Sequence, residues 1–170
     1  RKLKSTPDFS SDKYKYKFSH YLEATGKDNM GLILNQLKTT MTENVGVFRT
    51  EQGIMEAIET LKELKERIKR TSLNDCSCLS MNQELMQRWE IDNLLATSMA
   101  TCVAALDRRE SRGAHFRDDF SERKDEYNYH TLVTTLDFDK YELGRRKIDM
   151  SIFKAKGEHH ENFNIIDRKY

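Results

Sequence analysis

Proline occurs once in the 170 residues, at Pro7, and glycine only seven times. Such scarcity leaves long stretches in which nothing interrupts helix propagation, and it argues against a chain built from tight turns and short strands. Cysteine is as sparse: Cys76, Cys78 and Cys102 form an odd set. They supply no disulfide framework and place no demand for an oxidising compartment, so a reducing cytoplasm is the expected setting. The Cys76-Ser77-Cys78 pair reads as loop thiols, because a metal site needs further ligands and only Cys102 and five scattered histidines are on offer. No run approaches the roughly 18 to 20 apolar residues of a membrane span, and Arg1-Lys2-Leu3-Lys4 is not followed by an apolar export segment. Charge of one sign is missing as well. With 29 Lys/Arg against 28 Asp/Glu the net charge is +1, which provides neither a basic field for nucleic acid nor an acidic solvating tail.

Chemical motifs are also absent. There is no Gly-x-Gly-x-x-Gly or other phosphate-cradling loop, no Gly-x-Ser-x-Gly and no His-Glu-x-x-His. The expectation is therefore no catalytic, cofactor-binding or metal-ligating residue in this chain. Its first residue is Arg1 rather than methionine, which reads as a piece of a longer protein.

What is present is 37% hydrophobic and 34% charged sequence, enough for one domain with a modest core. Residues 1–28 read as an extended arm or linker, since Lys13 to Phe18 alternate lysine with aromatic residues at the strand period. Met30, Ile33, Leu34, Leu37 and Met41 then fall three and four apart, predicting a helix capped by Asp28 or Asn29 that stops near Gly46. A second helix is expected from a Thr50 cap to about Arg70, with Ile54, Ala57, Ile58, Leu61, Leu64 and Ile68 inward. Glu63–Arg67 and Glu66–Arg70 are spaced for i,i+4 support on its outer side. A third, capped by Ser80, should run to about Glu110 on a stripe of Leu85, Trp89, Leu94, Leu95, Met99, Cys102, Val103 and Leu106, with Arg108, Arg109 and Arg112 near its end and Gly113 as C-cap. Tyr129–Phe138 and Arg145–Phe153 read as a β-hairpin joined by a loop over 139–144, and 154–170 as a polar tail. The predicted fold is mainly α: a three-helix antiparallel bundle, spectrin-repeat-like, over 29–128, followed by a hairpin over 129–153.

The densest signal lies at 107–126, where six Lys/Arg and seven Asp/Glu nearly cancel and His115, Phe116 and Phe120 are interleaved. Mixed charge with aromatics suits a surface that meets protein. His115 with Asp118 and Asp119 has the makings of a metal or acid/base cluster, but Arg112 and Arg117 would repel a cation, and a salt-bridged seam is the better reading. The seam residues are Glu110, Ser111, Arg112, His115, Arg117, Asp118 and Arg123.

Glu110-Ser111-Arg112-Gly113-Ala114-His115, then Arg117-Asp118-Asp119-Phe120, Arg123-Lys124-Asp125-Glu126 and His130-Thr131-Leu132, resembles the C-terminal region of the succinate dehydrogenase/fumarate reductase flavoprotein subunits. A second block, Met41-Thr42-Glu43-Asn44-Val45-Gly46-Val47-Phe48-Arg49-Thr50, looks like the stretch that leads into that family's helical domain. The likeness covers about residues 30 to 138. Ser121 stands where the family usually has proline, and Asn128-Tyr129 replaces a common tryptophan.

The resemblance implies a parent oxidoreductase whose FAD is bound by an upstream domain missing here, and which interconverts fumarate and succinate. It further implies electron exchange with an iron–sulfur subunit and quinone, and a cytoplasmic place peripheral to the inner membrane through the parent complex. This chain would be the C-terminal helical domain packing on the FAD domain of its own parent, inactive alone, with no nucleic-acid partner and no direct membrane insertion. The alternatives are the C-terminal domain of L-aspartate oxidase, which shares a related block and Ser-Arg-Gly, and a free-standing helical protein-interaction module.

Overall fold

Apolar residues three and four apart and polar caps between them set the architecture. The computed structural model describes residues 11–77 and 79–149; the start of the expected arm at 1–10, Cys78, the end of the expected second strand at 150–153 and the expected tail at 154–170 lie outside the described residues. Within them the order is α1 (Ser11–Glu23), α2 (Met30–Val45), β1 (Phe48–Arg49), α3 (Glu51–Ile68), α4 (Gln83–Asp107), β2 (Phe116–Arg117), a 3-10 turn (Asp125–Tyr127), β3 (Tyr129–Asp137) and β4 (Lys140–Lys147). The chain is mainly α with a terminal hairpin, as its sequence pattern predicts.

Helices α2, α3 and α4 share one core. Ile33 and Leu37 of α2, Ile54, Leu61, Leu64 and Ile68 of α3, and Ile91, Leu95, Met99, Cys102 and Val103 of α4 are buried together, which removes apolar surface from water at about 25 cal/mol per Å². Each helix starts on a side-chain cap contributing about 1 kcal/mol. Asn29 accepts from the Leu32 N–H, Thr50 from Gly53 and Asn82 from Leu85. The expected Ser80 cap is replaced by Asn82, because Met81 takes a left-handed φ of 59° and the chain enters the helix only after it.

Three further expectations are corrected. The third helix ends at Asp107 rather than Glu110, since Arg108 is already extended (φ −88°, ψ 99°). Gly113 (φ 59°) is not its C-cap but part of the turn that returns the chain from Arg112 to His115. Leu94, assigned to the inner stripe, is 45% exposed, while Arg88 and Asp92, which the expected stripe left out, are buried. Outside the core, Glu63 does pair with Arg67 (3.9 Å), but Glu66 takes Lys69 (2.6 Å) because Arg70 reaches back to Asp28 (3.1 Å).

The largest departure is α1. The period-2 alternation over Lys13 to Phe18 is overruled by a helical spacing that Phe18, Tyr21 and Leu22 complete across the longer segment. Phe18 meets the Trp89 ring edge-on at 5.7 Å, and Tyr21 is buried with Leu73 and Leu85. The Tyr21 hydroxyl donates to Asp92, whose other oxygen accepts from Lys65 at 2.8 Å, while Arg88 lies 2.7 Å from the same carboxylate and stacks over the Tyr21 ring at 4.4 Å. Burial opposes ionisation of Asp92, but Lys65, Tyr21 and Arg88 outweigh it and hold its carboxyl below the ordinary range. A buried polar knot thus docks α1 on α3 and α4.

The hairpin is tighter than expected. β3 and β4 pair antiparallel with Thr131 opposite Arg145 and Val133 opposite Leu143, and residues 140–144, expected as loop, belong to the second strand. Polar, exposed strands with one glycine carry too little alternation to fix their ends by pattern. Val133 and Phe138 pack on the helical core, with Lys65 over the Phe138 ring at 5.3 Å.

The link between α1 and α2 runs against the end of α3, where Asp28 N–H donates to the Arg70 carbonyl (3.1 Å) and Ser72 Oγ to that of Gly26 (2.9 Å). A Cβ on Gly26 would fall 1.8 Å from that Arg70 oxygen, so backbone must move to admit one. Gly26→Ala is expected to destabilise the protein by about 2 kcal/mol, within the range for overpacking, seen as a lower urea midpoint; an unchanged midpoint would show that the contact is not required.

Candidate functional site

The charged strip closes on the start of α3. The turn after Arg112 sends the chain back through β2, which pairs in parallel with β1, Phe48 against Phe116 and Arg49 against Arg117. Phe116 N–H donates to Val47 O (3.2 Å) and Asp118 N–H to Arg49 O (2.9 Å), and the Phe48 and Phe116 rings meet edge to face at 5.5 Å. Sequence blocks on either side of two helices are thereby clasped together.

Arg117 is the centre of the clasp and has no exposed surface. Its Nε and Nη2 make a two-pronged contact with Asp119, both bonds 2.7 Å, and Nη1 donates to the Ala105 carbonyl at 3.0 Å. That carbonyl is in the last turn of α4, where acceptors lack helical partners and a cation is favoured. Asp119 in turn accepts the Glu51 backbone N–H at 2.8 Å, in the first turn of α3, where an anion is favoured by the same dipole. The hydrogen bonds from Arg117 lower the Asp119 pKa to about 2 despite partial burial, with the Glu51 N–H assisting.

A second cluster forms around Glu110, whose side chain is fully buried. One oxygen accepts from Arg108 (2.6 Å) and Arg112 (2.9 Å), the other from Arg112 (3.1 Å) and the Lys124 N–H (2.9 Å). Burial works against its charge, but Arg112, Lys124 and Arg108 together hold the carboxyl below its usual pKa. Arg108 also reaches the carbonyls of Tyr127 (2.9 Å) and Tyr129 (2.8 Å), tying the strip to the hairpin. Ser111 Oγ accepts from Arg117 N–H (2.8 Å) and donates to Phe120 O (2.9 Å), joining the two clusters.

His115 bridges them. Its Nε2 lies 3.1 Å from the Arg108 carbonyl and its Nδ1 2.9 Å from Arg49 Nη1. A carbonyl only accepts and a guanidinium only donates, so the ring is neutral with its hydrogen on Nε2. Burial lowers the pKa of His115, the Arg108 carbonyl opposes that, and the charges of Arg49, Arg117 and Arg108 lower it further.

Of the seven predicted seam residues, Glu110, Ser111 and Arg117 are buried inside the chain's own clasp, and Arg112 and His115 are half-buried at its edge. Asp118 is exposed and held by its backbone, and Arg123 lies 3.9 Å from Asp125. Sequence reading missed Arg49, Arg108, Asp119 and Glu51 as partners. Asp119 lies two residues beyond Arg117 in the turn that Phe120 N–H closes on the Arg117 carbonyl (3.0 Å), and the nearness of opposite charges in sequence was the available signal. Because both ring nitrogens of His115 and the carboxylates of Glu110 and Asp119 are engaged within the chain, the arrangement suits holding elements together rather than moving protons.

Two outcomes follow. Glu110→Ala strands Arg108 and Arg112 beside a buried void and should cost about 3 kcal/mol or more, measured by urea unfolding. Since His115 is neutral in the fold and protonates in the unfolded chain below about 6.5, the unfolded state takes up more protons there; its contribution is fully present above that pH and declines as pH falls below it. The urea midpoint should drop between pH 7.5 and 5.5, and His115→Gln should flatten that drop. The Asp119 contribution should be lost only between its ordinary value near 3.8 and about 2.

Comparison with known proteins bears on the same residues. A family model described as "Fumarate reductase flavoprotein C-term" matches residues 34–170. The chain is 38% identical over 130 residues to a succinate dehydrogenase flavoprotein subunit of Coxiella burnetii, covering 76% of this chain and 21% of that protein. It is 35% identical over 110 residues to a fumarate reductase flavoprotein subunit of Haemophilus influenzae, covering 64% and 18%. A solved quinol fumarate reductase of E. coli shares the fold with a TM-score of 0.76 at 24% identity, over 87% of this chain and 26% of that one. The chain thus spans about a fifth of the length of these curated relatives.

Proposed function

The chain belongs to the fumarate reductase flavoprotein C-terminal family, and from that premise we propose that it serves as the helical domain of a longer subunit that interconverts fumarate and succinate. In this reading FAD is bound by the rest of the parent. Fit with the residues present supports that division: none of the seven glycines falls in a Gly-x-Gly-x-x-Gly spacing, and the charged groups of the clasp are turned on one another. The parent would exchange electrons with an iron–sulfur subunit and a quinone and lie at the cytoplasmic face of the membrane without entering it through this domain. No helix among the described residues is long and apolar enough to cross a membrane.

The observation that carries the reading is that the two sequence blocks of the resemblance, 41–50 and 110–120, meet in one parallel pairing. Their shared task is to fasten the end of α4 to the start of α3. Arg112, His115, Asp118 and Arg123, on the outer side of the clasp, form the seam toward the FAD domain, with Glu110, Ser111 and Arg117 fixing them from behind. Buried pairs of this kind orient surfaces more than they add net stability. The relatives reported above are named for succinate and fumarate, so the L-aspartate oxidase reading is not carried forward.

The test is to prepare the full-length protein and the 170-residue chain side by side and follow flavin absorbance and fumarate reduction with an artificial dye. Flavin and activity are expected only in the full-length protein. Activity in the isolated chain, or a full-length protein without flavin, would refute the proposal. In the full-length protein Arg112→Ala should weaken domain docking while leaving the KM for fumarate unchanged; a raised KM with normal assembly is the contrary result.

A further inference from the structure

The arginines of the clasp are matched to acids, with one exception. Arg108 and Arg112 share Glu110, Arg109 reaches Glu51 and Arg117 grips Asp119. Among the described residues no carboxylate pairs with Arg49. Its Nε donates to the Gly46 carbonyl (2.5 Å) and its Nη1 to His115 Nδ1 (2.9 Å), which spends two of the five N–H groups of a guanidinium and leaves three. Arg49 is nevertheless half-buried. Burial pushes its pKa down, the Cys102 thiol opposes that and the charge of Arg117 lowers it further. A cation drawn partly out of water without a counter-ion is held at a cost that an incoming anion relieves.

Arg49 lines a groove of about 510 Å³ bounded by the second half of α4, the start of β3 and the clasp, and none of the described residues that line it is acidic. The α4 wall adds no charge of its own, since Asn93 to Leu106 contains neither acid nor base. Arg108 also borders the groove, but its nitrogens are committed to Glu110 and to the carbonyls of Tyr127 and Tyr129. The hydroxyls of Thr97 and Thr101 donate one turn back along their own helix, to the carbonyls of Asn93 (2.8 Å) and Thr97 (2.9 Å). Donor capacity and uncompensated charge are thus both concentrated on Arg49.

We propose that this groove binds a small organic carboxylate, held by the Arg49 guanidinium, with its carbon chain along Ala100 and Ala104. The planar fork of a guanidinium matches the two oxygens of a carboxylate with parallel bonds. One uncompensated charge calls for one negative charge, whereas sulfate or phosphate would bring a second into a half-buried site that has no partner for it. The alanine methyl groups in the same groove suit a short hydrocarbon chain better than a bare inorganic ion. The site is made by residues of this chain alone, so it stands whether or not the parent carries a flavin.

The test treats the full-length protein with phenylglyoxal, which adds to guanidines, and follows Arg49 and Arg70 separately by peptide mass. Arg70 lies just past the far end of α3 with its side chain 66% exposed and serves as the open control. Sodium acetate is the probe, compared with sodium chloride at equal ionic strength. It should slow the modification of Arg49 about tenfold at saturation, with a midpoint on the order of 1–10 mM, and leave Arg70 unchanged. Slowing that affects both arginines alike, or that never saturates, is bulk screening and overturns the proposal. Equal protection by sodium sulfate overturns it too, because the site would then not select a carboxylate. If Arg49 reacts only after urea is added, the groove is closed in the longer protein and the proposal fails. All these results are read at Arg49 itself and none depends on flavin content, so their failure and that of the functional reading above are distinguishable.

Discussion

The arrangement of this domain depends on one guanidinium. Arg117 stands between the last turn of α4 and the first turn of α3, donating to Ala105 and gripping Asp119, which receives the Glu51 N–H. A cation at a helix C-terminus and an anion at a helix N-terminus each gain from the backbone dipoles they face. Placed back to back, the pair neutralises itself while satisfying both helix ends. This is why full burial of an arginine is sustainable here, although an isolated charge in the same place would be strongly disfavoured.

The helical core was legible because its signal is redundant. Ile54, Leu61, Leu64 and Ile68 repeat at helical spacing across eighteen residues of α3, and any one could be misread without losing the helix. α1 had fewer inward residues, and the local run of Lys and aromatic side chains mimicked a strand until Trp89 and Asp92, some seventy positions away, supplied the surface that decides it. The same limit applies to the charged strip. Its composition announced protein contact, but that the contact is internal for Arg117 depends on Arg49, Glu51 and Ala105, which the folded chain brings near. Spacing encodes what a residue shares with its neighbours in sequence, and much less of what it meets across the fold.

The distribution of charge gives the domain two sides. α3 carries the solvated face and α4 the neutral one, with the clasp at the end opposite the link over 69–82 that connects the two helices. The residues that carry the family resemblance are thus concentrated where this domain's internal fastening and its open neutral face converge. Such a placement makes the clasp part of the geometry of that face, since any slip between α3 and α4 would tilt it.

The parallel pairing of Phe48 with Phe116 joins positions sixty-eight apart in the chain, and this separation has a kinetic meaning. Contacts between α2 and α3 close short loops, whereas the β1–β2 ladder must await the long excursion through α3 and α4 before it can form. Interactions that form after the folding barrier leave the rate of folding almost untouched and act on the rate of unfolding. Formed last in this way, the clasp would act as a retention device, setting how long the assembled domain persists more than how quickly it is reached.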